Sequence, residues 1–539
     1  MRSLNFCPAV ALGLPILLFS SHGLAAAAPP APVSAAGKMP AASAFDAGIA
    51  AYRKGDLAAA RVLLGQAVAA DAENADAQAV YGFLLAQKGL YDEALPHLEK
   101  ATTLKTNLIS PTNSLMNFGK TLLLKPNRTP ADTERAIASF EKAAALSPRS
   151  LDAQMTLGFG YSRTVRYDKA AAAYREAVRI SPKNALAWKD LGLTLRSLGR
   201  NDEAYDALQK SVALNSQDAD TWANVGELAL LRGDLPAAQN DLETARKMDP
   251  RNARVLTELG SLYARQNTYA AAAEAYGAAG DLREASPTST GGTGDLALLR
   301  YDQGVALGQA GQNDEALAAY DKAIAANARY PEALLNSGFI LYKQNKLDDA
   351  IGRFRQATAL KPASPLGWKN LAAAETDQKD WDGAAVAWRK VAALDPSDYD
   401  SRARLVDAIL RAHPVSDEAV PYYRQMAALQ PRSAEPLIGL GLLYQRQAEA
   451  APLSVTKQEK LLLALQALQQ AVRHDPRSAI AYNNLGVTHE RRGEMADAIT
   501  AYKKAALLDP GLTDARQNLD RFRSTGTHAP TPKPRPAKQ

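Results

Sequence analysis

The chain has 539 residues, of which 47% are hydrophobic but only 6% are aromatic, so its apolar content is mainly Ala, Leu and Val. This composition favours helices over strands. The formal net charge is +6, and most of the excess lies near the two ends, at Arg2, Lys38, Lys533, Arg535 and Lys538. A nucleic-acid-binding protein usually has a concentrated basic face. The body of the chain has none, so we expect no nucleic-acid partner.

The first residues have the features of an export signal. Arg2 gives a short basic start, and an apolar core of 11 residues, "AVALGLPILLF", runs from Ala9 to Phe19. Small residues then precede a suitable cleavage point near Ala28, so residues 1–28 are predicted to be a signal peptide. The apolar core is too short to span a bilayer, and we expect no transmembrane segment in the mature chain. We therefore expect the protein to be exported, to the periplasm of a Gram-negative bacterium.

Two short regions flank the body of the chain and have the composition of unstructured segments. Residues 29–43 are rich in Pro, Ala and Ser and are predicted to be a flexible linker. Residues 524–539 alternate Pro with basic residues and are predicted to be a disordered tail. The only cysteine, Cys7, lies in the predicted signal peptide. Neither a disulfide nor thiol chemistry is therefore expected in the mature protein.

An internal period of 34 residues organises the rest of the chain, as the spacing between Trp188 and Trp222 shows. A small residue recurs in this frame, with Val406 as the bulky exception, at Gly48, Gly82, Gly119, Gly158, Gly192, Gly226, Gly260, Gly304, Gly338, Ala372, Gly441 and Gly486. Within each unit, apolar residues recur at spacings of three and four, which predicts two amphipathic helices. A turn glycine such as Gly493 is predicted to separate them.

These units resemble tetratricopeptide repeats, which share the early aromatic residue, the Leu-Gly pair, the later Ala and the final Pro. The resemblance covers residues 44–512 and identifies the chain as an exported bacterial member of this superfamily. It implies an all-α fold, a right-handed α-α superhelical solenoid of about 13 helix pairs whose first helices line a concave groove. Units 1–7 would occupy residues 44–285 and units 8–13 residues 297–512, and residues 513–523 would form a capping helix.

The largest gap between whole units, residues 286–296, contains a glycine-rich motif. Gly292, Gly294 and Ala297 fit the pattern G-x-G-x-x-A, which can hold a pyrophosphate when it follows a strand and opens a helix. Here a predicted helix precedes the glycines instead. The stretch is therefore predicted to be a flexible joint between the two groups of units, and not a nucleotide site.

Other motifs that suggest chemistry are incomplete. "FGKTLLL" has the Gly-Lys-Thr of a phosphate loop, but Ser114 stands where the loop needs its first glycine. "THERRGE" begins like a zinc protease helix, but Arg492 replaces the second histidine. The repeats leave too little chain for a separate catalytic domain. We therefore expect no catalytic residue, no metal and no cofactor, and a protein that is not an enzyme.

The resemblance also implies which residues face the groove. Counting the recurring small residue as position 8 of each unit, positions 2, 5, 6, 9, 12 and 13 point into it. Position 6 carries Asn224, Asn336, Asn370 and Asn484, and positions 9 and 12 carry Phe83, Phe159, Phe339 and Tyr342. An Asn amide has donors and an acceptor that match a peptide backbone, and exposed aromatic residues are good anchors. The same side chains could instead brace neighbouring helices, and the sequence leaves both interpretations open.

The predicted function is a non-enzymatic scaffold that binds a protein or peptide partner along the groove, in the cell envelope. One alternative is a periplasmic repeat subunit of an exopolysaccharide synthesis or export complex. Another is a substrate-recognition subunit for a separate glycosyltransferase. The sequence does not determine the partner or the oligomeric state.

Overall fold

The computed structural model describes residues 40–285 and 293–524, and all regular secondary structure within these ranges is α-helical. The predicted signal peptide, most of the predicted linker and nearly all of the predicted tail lie outside the described residues. The chain divides into two compact units, residues 1–290 and 291–539. No helix in the described ranges is both long enough and apolar enough to cross a membrane.

The helices follow one another with short connections. In the first unit they are α1 (Ala41–Arg53), α2 (Leu57–Ala70), α3 (Ala75–Gln87), α4 (Tyr91–Thr103), α5 (Pro111–Leu124), α6 (Pro130–Leu146), α7 (Leu151–Arg163), α8 (Tyr167–Ile180), α9 (Ala185–Ser197), α10 (Asn201–Leu214), α11 (Ala219–Arg232), α12 (Leu235–Met248), α13 (Ala253–Arg265) and α14 (Tyr269–Ala285). In the second unit they are α15 (Thr293–Gln309), α16 (Asn313–Ala326), α17 (Pro331–Lys343), α18 (Leu347–Leu360), α19 (Pro365–Gln378), α20 (Trp381–Leu394), α21 (Tyr399–Ala412), α22 (Ala419–Leu429), α23 (Glu435–Ala450), α24 (Ser454–His474), α25 (Ala479–Arg492), α26 (Met495–Leu508) and α27 (Thr513–Ser524).

Within each unit, every odd-numbered helix before α27 packs on the even-numbered helix that follows it, and that helix packs on the next odd-numbered one. Several successive odd-numbered helices also touch each other, among them α3 and α5, α11 and α13, and α17 and α19. Successive even-numbered helices make no comparable contact in the described part of the chain. Because elements on the inside of a curved stack lie closer together, the odd-numbered helices line the inner side of each unit.

The recurring small residue lets the two helices of a pair pack closely. A Cβ added at Gly192 would lie 2.5 Å from Cγ of Leu208, on the second helix of the same pair. At Gly338 an added Cβ would lie 2.7 Å from Cε1 of Phe354. Side chains are close-packed at these crossings and leave no room for an additional methyl group. The turn glycine is also as predicted, since Gly493 ends α25 in the left-handed conformation with a φ of +84°.

Two helices extend into stretches that were predicted to be irregular. Helix α1 begins at Ala41, inside the predicted linker, because the Ala-rich sequence after Pro40 is compatible with a helix. Helix α15 begins at Thr293, so residues 293–296 of the predicted joint are helical, and Asp295 lies in its first turn, where an acidic residue is favoured. The rest of the joint, residues 286–292, lies outside the described residues, and the proposed flexibility stays a prediction.

Helix α27 covers the apolar face of the last helix pair. Ala515 is fully buried in a cluster with Ala505 and Leu512. Phe522 packs against the cluster of Tyr502, and the two ring centroids are 6.1 Å apart. The position of α27 is that of the capping helix described from the sequence, because the last unit of a repeat array would otherwise expose its apolar face.

Candidate functional site

The predicted groove residues have very different exposures, and Asn484 is the most deeply buried of them, at 0%. Its backbone carbonyl accepts hydrogen bonds from Gln445 Nε2 at 3.2 Å and from Thr488 Oγ1 at 2.9 Å. Asn484 makes a further interaction within the chain as well. A fully buried amide cannot contact a partner without rearrangement, so for Asn484 the structure favours the bracing interpretation.

Asn224 also braces helices, at the centre of a polar network on the inner side of the first unit. Its Nδ2 donates to the carbonyl of Asp220 at 2.6 Å. Its Oδ1 accepts from Arg254 at 2.9 Å and from Arg196. Glu227 lies between the same two arginines, 3.0 Å from Arg196 and in contact with Arg254. The network therefore joins α9, α11 and α13, and Asn224 itself is only 5% exposed.

Two acidic residues that the sequence reasoning missed flank this network. Asp190 and Glu258 occupy the repeat position of Asn224, one unit before and one unit after it. Burial and the nearby carboxylate of Glu227 raise the pKa of Glu258 to about 7, although Arg254, Arg196 and Arg265 lower it. Burial also raises the pKa of Asp190 to about 7, against the opposing charge of Lys189. The period of 34 could have located both residues, but only the packing shows their desolvation.

The aromatic candidates of the first unit are not free anchors. Phe83 is 6% exposed and belongs to a buried cluster with Ile49 and Ile109. Phe159 is partly buried and packs against the large core cluster that includes Tyr161 and Leu191. For Phe83 the structure therefore favours packing over the anchor interpretation, because a neighbouring segment of the chain covers it.

Helix α17 of the second unit, by contrast, presents an open aromatic residue. Phe339 is 47% exposed, and the ammonium of Lys343 lies 5.4 Å from the centre of its ring. Tyr342 is half-buried, and its hydroxyl donates to Asp377 on α19. This hydrogen bond and burial raise the pKa of Tyr342. Leu366, at position 2 of the next unit, is 60% exposed and was missed, because an isolated exposed Leu has no sequence signature.

The two remaining asparagines are Asn336, in the same repeat unit as Phe339, and Asn370, at the equivalent position of the next unit. Asn336 is half-buried, and its Nδ2 donates to the hydroxyls of Tyr301 at 3.3 Å and Tyr320 at 3.4 Å. Asn370 is half-buried and makes no side-chain hydrogen bond to any residue that the structure describes. Its amide thus retains two donors and one acceptor for another molecule.

We call the set of Asn336, Phe339, Tyr342, Leu366 and Asn370 the α17–α19 face. On α17, Asn336, Phe339 and Tyr342 lie at spacings of three, which places them along one side of the helix. Gly338 contacts α18, the other helix of its pair, and Phe339 lies beside this contact and is 47% exposed. The face combines exposed apolar surface with an unengaged amide, a combination suited to holding an extended peptide.

His489 belongs to a group of possible metal ligands that the sequence reasoning did not foresee. Single ligand atoms of His489, Glu494 and Asp497 lie within 4.8 Å of one another. His489 Nδ1 is 2.7 Å from Glu494, and Arg492 Nε donates to the same carboxylate at 2.9 Å. The hydrogen bond between His489 and Glu494 and the ion pair between Arg492 and Glu494 account for the closeness of these side chains, and we assign no metal to them.

A sequence model described as "Tetratricopeptide repeat" matches residues 45–107, 131–185, 161–219, 224–289, 301–365, 338–401 and 456–513, well over half of the chain. The overlapping matches do not count the repeats, so the number of 13 stays a prediction.

Two similar plant proteins are named probable UDP-N-acetylglucosamine–peptide N-acetylglucosaminyltransferase SPINDLY. The protein from Hordeum vulgare is 30% identical over 136 residues, which are 25% of this chain and 14% of that protein. The protein from Solanum lycopersicum is 28% identical over 111 residues, 21% of this chain and 11% of that protein. The chain therefore matches only a small part of the length of these relatives.

Solved structures of repeat proteins are similar to parts of the chain. The pilF protein of Pseudomonas aeruginosa is 19% identical, with a TM-score of 0.33, over 41% of this chain and 97% of that one. The MamA crystal structure is 23% identical, with a TM-score of 0.29, over 30% of this chain and 95% of that one.

Proposed function

Because the chain belongs to the tetratricopeptide repeat family, whose fold is suited to protein–protein interaction, we propose that it is a non-enzymatic exported scaffold that holds an extended peptide of a partner protein on the α17–α19 face. Export follows from the composition of residues 1–28, and the periplasm is the compartment that this composition suggests.

The exposure of Phe339 carries the proposal. Phe339 occupies the same repeat position as Phe83, yet it is 47% exposed, against 6% for Phe83. Burying a large apolar side chain is favourable by about 1.5–3 kcal/mol, so an exposed Phe is a ready anchor for a partner. Leu366, 60% exposed, provides a second anchor on the adjacent odd-numbered helix.

The polar groups of the face match a peptide backbone. Asn370 offers both donors and an acceptor, and such an amide reads backbone groups without selecting side chains. Asn336 is held in place by two tyrosine hydroxyls through its Nδ2, and a fixed amide loses less conformational entropy when it binds. The apolar anchors would therefore provide most of the affinity, and the amides would fix the direction of the peptide.

A photo-crosslinking experiment in cells tests the proposal. A photoreactive amino acid is placed at Phe339, and a matched control carries it at Val386 on the even-numbered helix α20, where the side chain is 52% exposed. We expect a discrete crosslinked protein from position 339 that position 386 does not give. Asn370→Ala combined with Leu366→Ala should reduce this product at least about tenfold, because both groups would contact the peptide. The same products from both positions, or a product insensitive to the double variant, would contradict the proposal.

The similarity to the SPINDLY proteins favours the second alternative, in which the chain recognises substrates for a separate glycosyltransferase. The matched part is confined to the repeats, so this alternative requires a catalytic partner. It predicts that a glycosyltransferase activity co-purifies with the chain and is lost when the α17–α19 face is changed. No comparable observation favours the exopolysaccharide alternative.

A further inference from the structure

The connection between α4 and α5 lies along the inner side of α3. We call residues 104–110, which form this connection, the strap. Asp76 on α3 accepts three consecutive backbone N–H groups of the strap, from Asn107 at 3.0 Å, Leu108 at 3.0 Å and Ile109 at 2.9 Å. Three consecutive donors on one carboxylate hold a short segment of backbone in a defined orientation.

The side chain that follows these donors is buried in an apolar site. Ile109 is 2% exposed and shares one cluster with Val80 and Phe83 of α3 and with Ile49 of α1. Asp76, Val80 and Phe83 stand at positions 2, 6 and 9 of their unit. They are the counterparts of Glu332, Asn336 and Phe339 on α17, where no described segment of the chain covers the aromatic residue.

The length of the connection shows that the strap conformation is not required for chain continuity. The equivalent connections between α8 and α9 and between α10 and α11 have four residues, and the strap has seven. The additional residues lengthen the spacing from Gly82 to Gly119 to 37 instead of 34. The hydroxyl of Thr106 is also buried without a hydrogen-bond partner among the described residues. The strap therefore buries one polar group at a free-energy cost that no hydrogen bond offsets.

From this geometry we propose that the inner side of α3 is a peptide-binding site, occupied in cis by the strap and open to a partner peptide when the strap is displaced. The ligand is a bent segment whose three consecutive backbone N–H groups converge on one carboxylate, with an aliphatic side chain on the third residue. Proline is excluded from these three positions because it has no N–H. The site lies in the first unit, shares no residue with the α17–α19 face, and does not depend on the function proposed for that face.

Binding in trans tests the site directly. In the full chain, residues 105–109 are replaced by a Gly-Ser segment of equal length, and the probe is a labelled peptide of residues 103–111, TLKTNLISP, followed by fluorescence anisotropy. We expect the peptide to bind this variant at least about tenfold more tightly than the wild-type chain, whose own strap competes at high effective concentration. An Ile109→Ala peptide should bind about tenfold more weakly than the unchanged peptide, because it loses buried aliphatic surface.

Further variants locate the binding. In the strap-replaced chain, Asp76→Asn should weaken peptide binding, because the carboxylate accepts all three backbone donors. The matched control Glu332→Gln changes the equivalent position of α17 and should leave peptide binding unchanged. A Leu108→Pro peptide should not bind. Equal affinity for the wild-type and strap-replaced chains would overturn the proposal, as would an equal effect of the two carboxylate changes.

Hydrogen exchange of the unmodified protein decides the question even if the replaced chain does not fold. A displaceable strap opens without α3, so the amides of residues 107–109 should exchange at least about a hundredfold faster than the helical amides around Val80. If the two sets exchange together, the strap is an integral part of the core and the proposal is wrong.

Discussion

Replacing Glu258 with Gln should stabilise the first unit at alkaline pH and have almost no effect at acid pH. In the folded protein, burial and Glu227 raise the pKa of Glu258 from 4.5 to about 7. Between pH 4.5 and about pH 7, the folded state therefore keeps a proton on Glu258 that the unfolded state has already released. Stability falls as the pH rises through this window, because the unfolded state then binds fewer protons than the native state.

The magnitude follows from the size of the shift. Each pKa unit corresponds to about 1.4 kcal/mol, so a rise from 4.5 to about 7 destabilises the ionised native state by about 3 kcal/mol. Gln retains the shape of a protonated carboxyl group and has no charge to desolvate. The Glu258→Gln variant should thus be more stable than the wild-type chain by about 3 kcal/mol at pH 8 and nearly equal to it at pH 4.

Native-state hydrogen exchange of the α13 amides is the appropriate assay. A repeat array need not unfold in one step, and the exchange of individual amides gives the local free energy of opening. Glu274→Gln, which changes an exposed carboxylate on α14, is the matched control and should show no gain. A Glu258→Gln variant that is less stable than wild type at pH 8 would refute the reasoning. It would mean that Arg196, Arg254 and Arg265 compensate the buried charge fully.

Two further predictions concern packing and export. Gly192→Ala should destabilise the first unit by about 1–3 kcal/mol, because the new Cβ would lie 2.5 Å from Leu208. Gly352→Ala on α18 should instead stabilise the second unit by about 1 kcal/mol, since an added Cβ there has no neighbour within 4 Å. Urea unfolding of the two variants checks both signs, and a gain at Gly192 would contradict the close-packing argument. Fractionation should find a chain shortened by about 28 residues in the periplasm. A full-length chain that stays in the cytoplasm would contradict export.

The period of 34 residues was sufficient to predict the all-α class and the family. The prediction succeeded because each unit repeats the same local choices, such as the small residue at Gly192 that packs on Leu208. The prediction was less accurate at the ends of the two segments that were expected to be irregular, because their sequences also permit a helix. Helix α1 begins at Ala41, inside the predicted linker, and α15 begins at Thr293, inside the predicted joint.

Exposure on the inner side of each unit could not be predicted, because it depends on segments outside the repeat frame. The three phenylalanines at position 9 show this: Phe83 is covered in the cluster that contains Ile109 of the strap, Phe159 packs against the core, and Phe339 is open. Asn224 and Asn370 differ in the same way, since two arginines engage the first and no described residue engages the second. A repeat position therefore specifies a direction, whereas the neighbouring side chains and connections decide whether the residue at that position can reach a partner. Identifying a binding residue in such an array requires both the repeat frame and the irregular segments that cover parts of it.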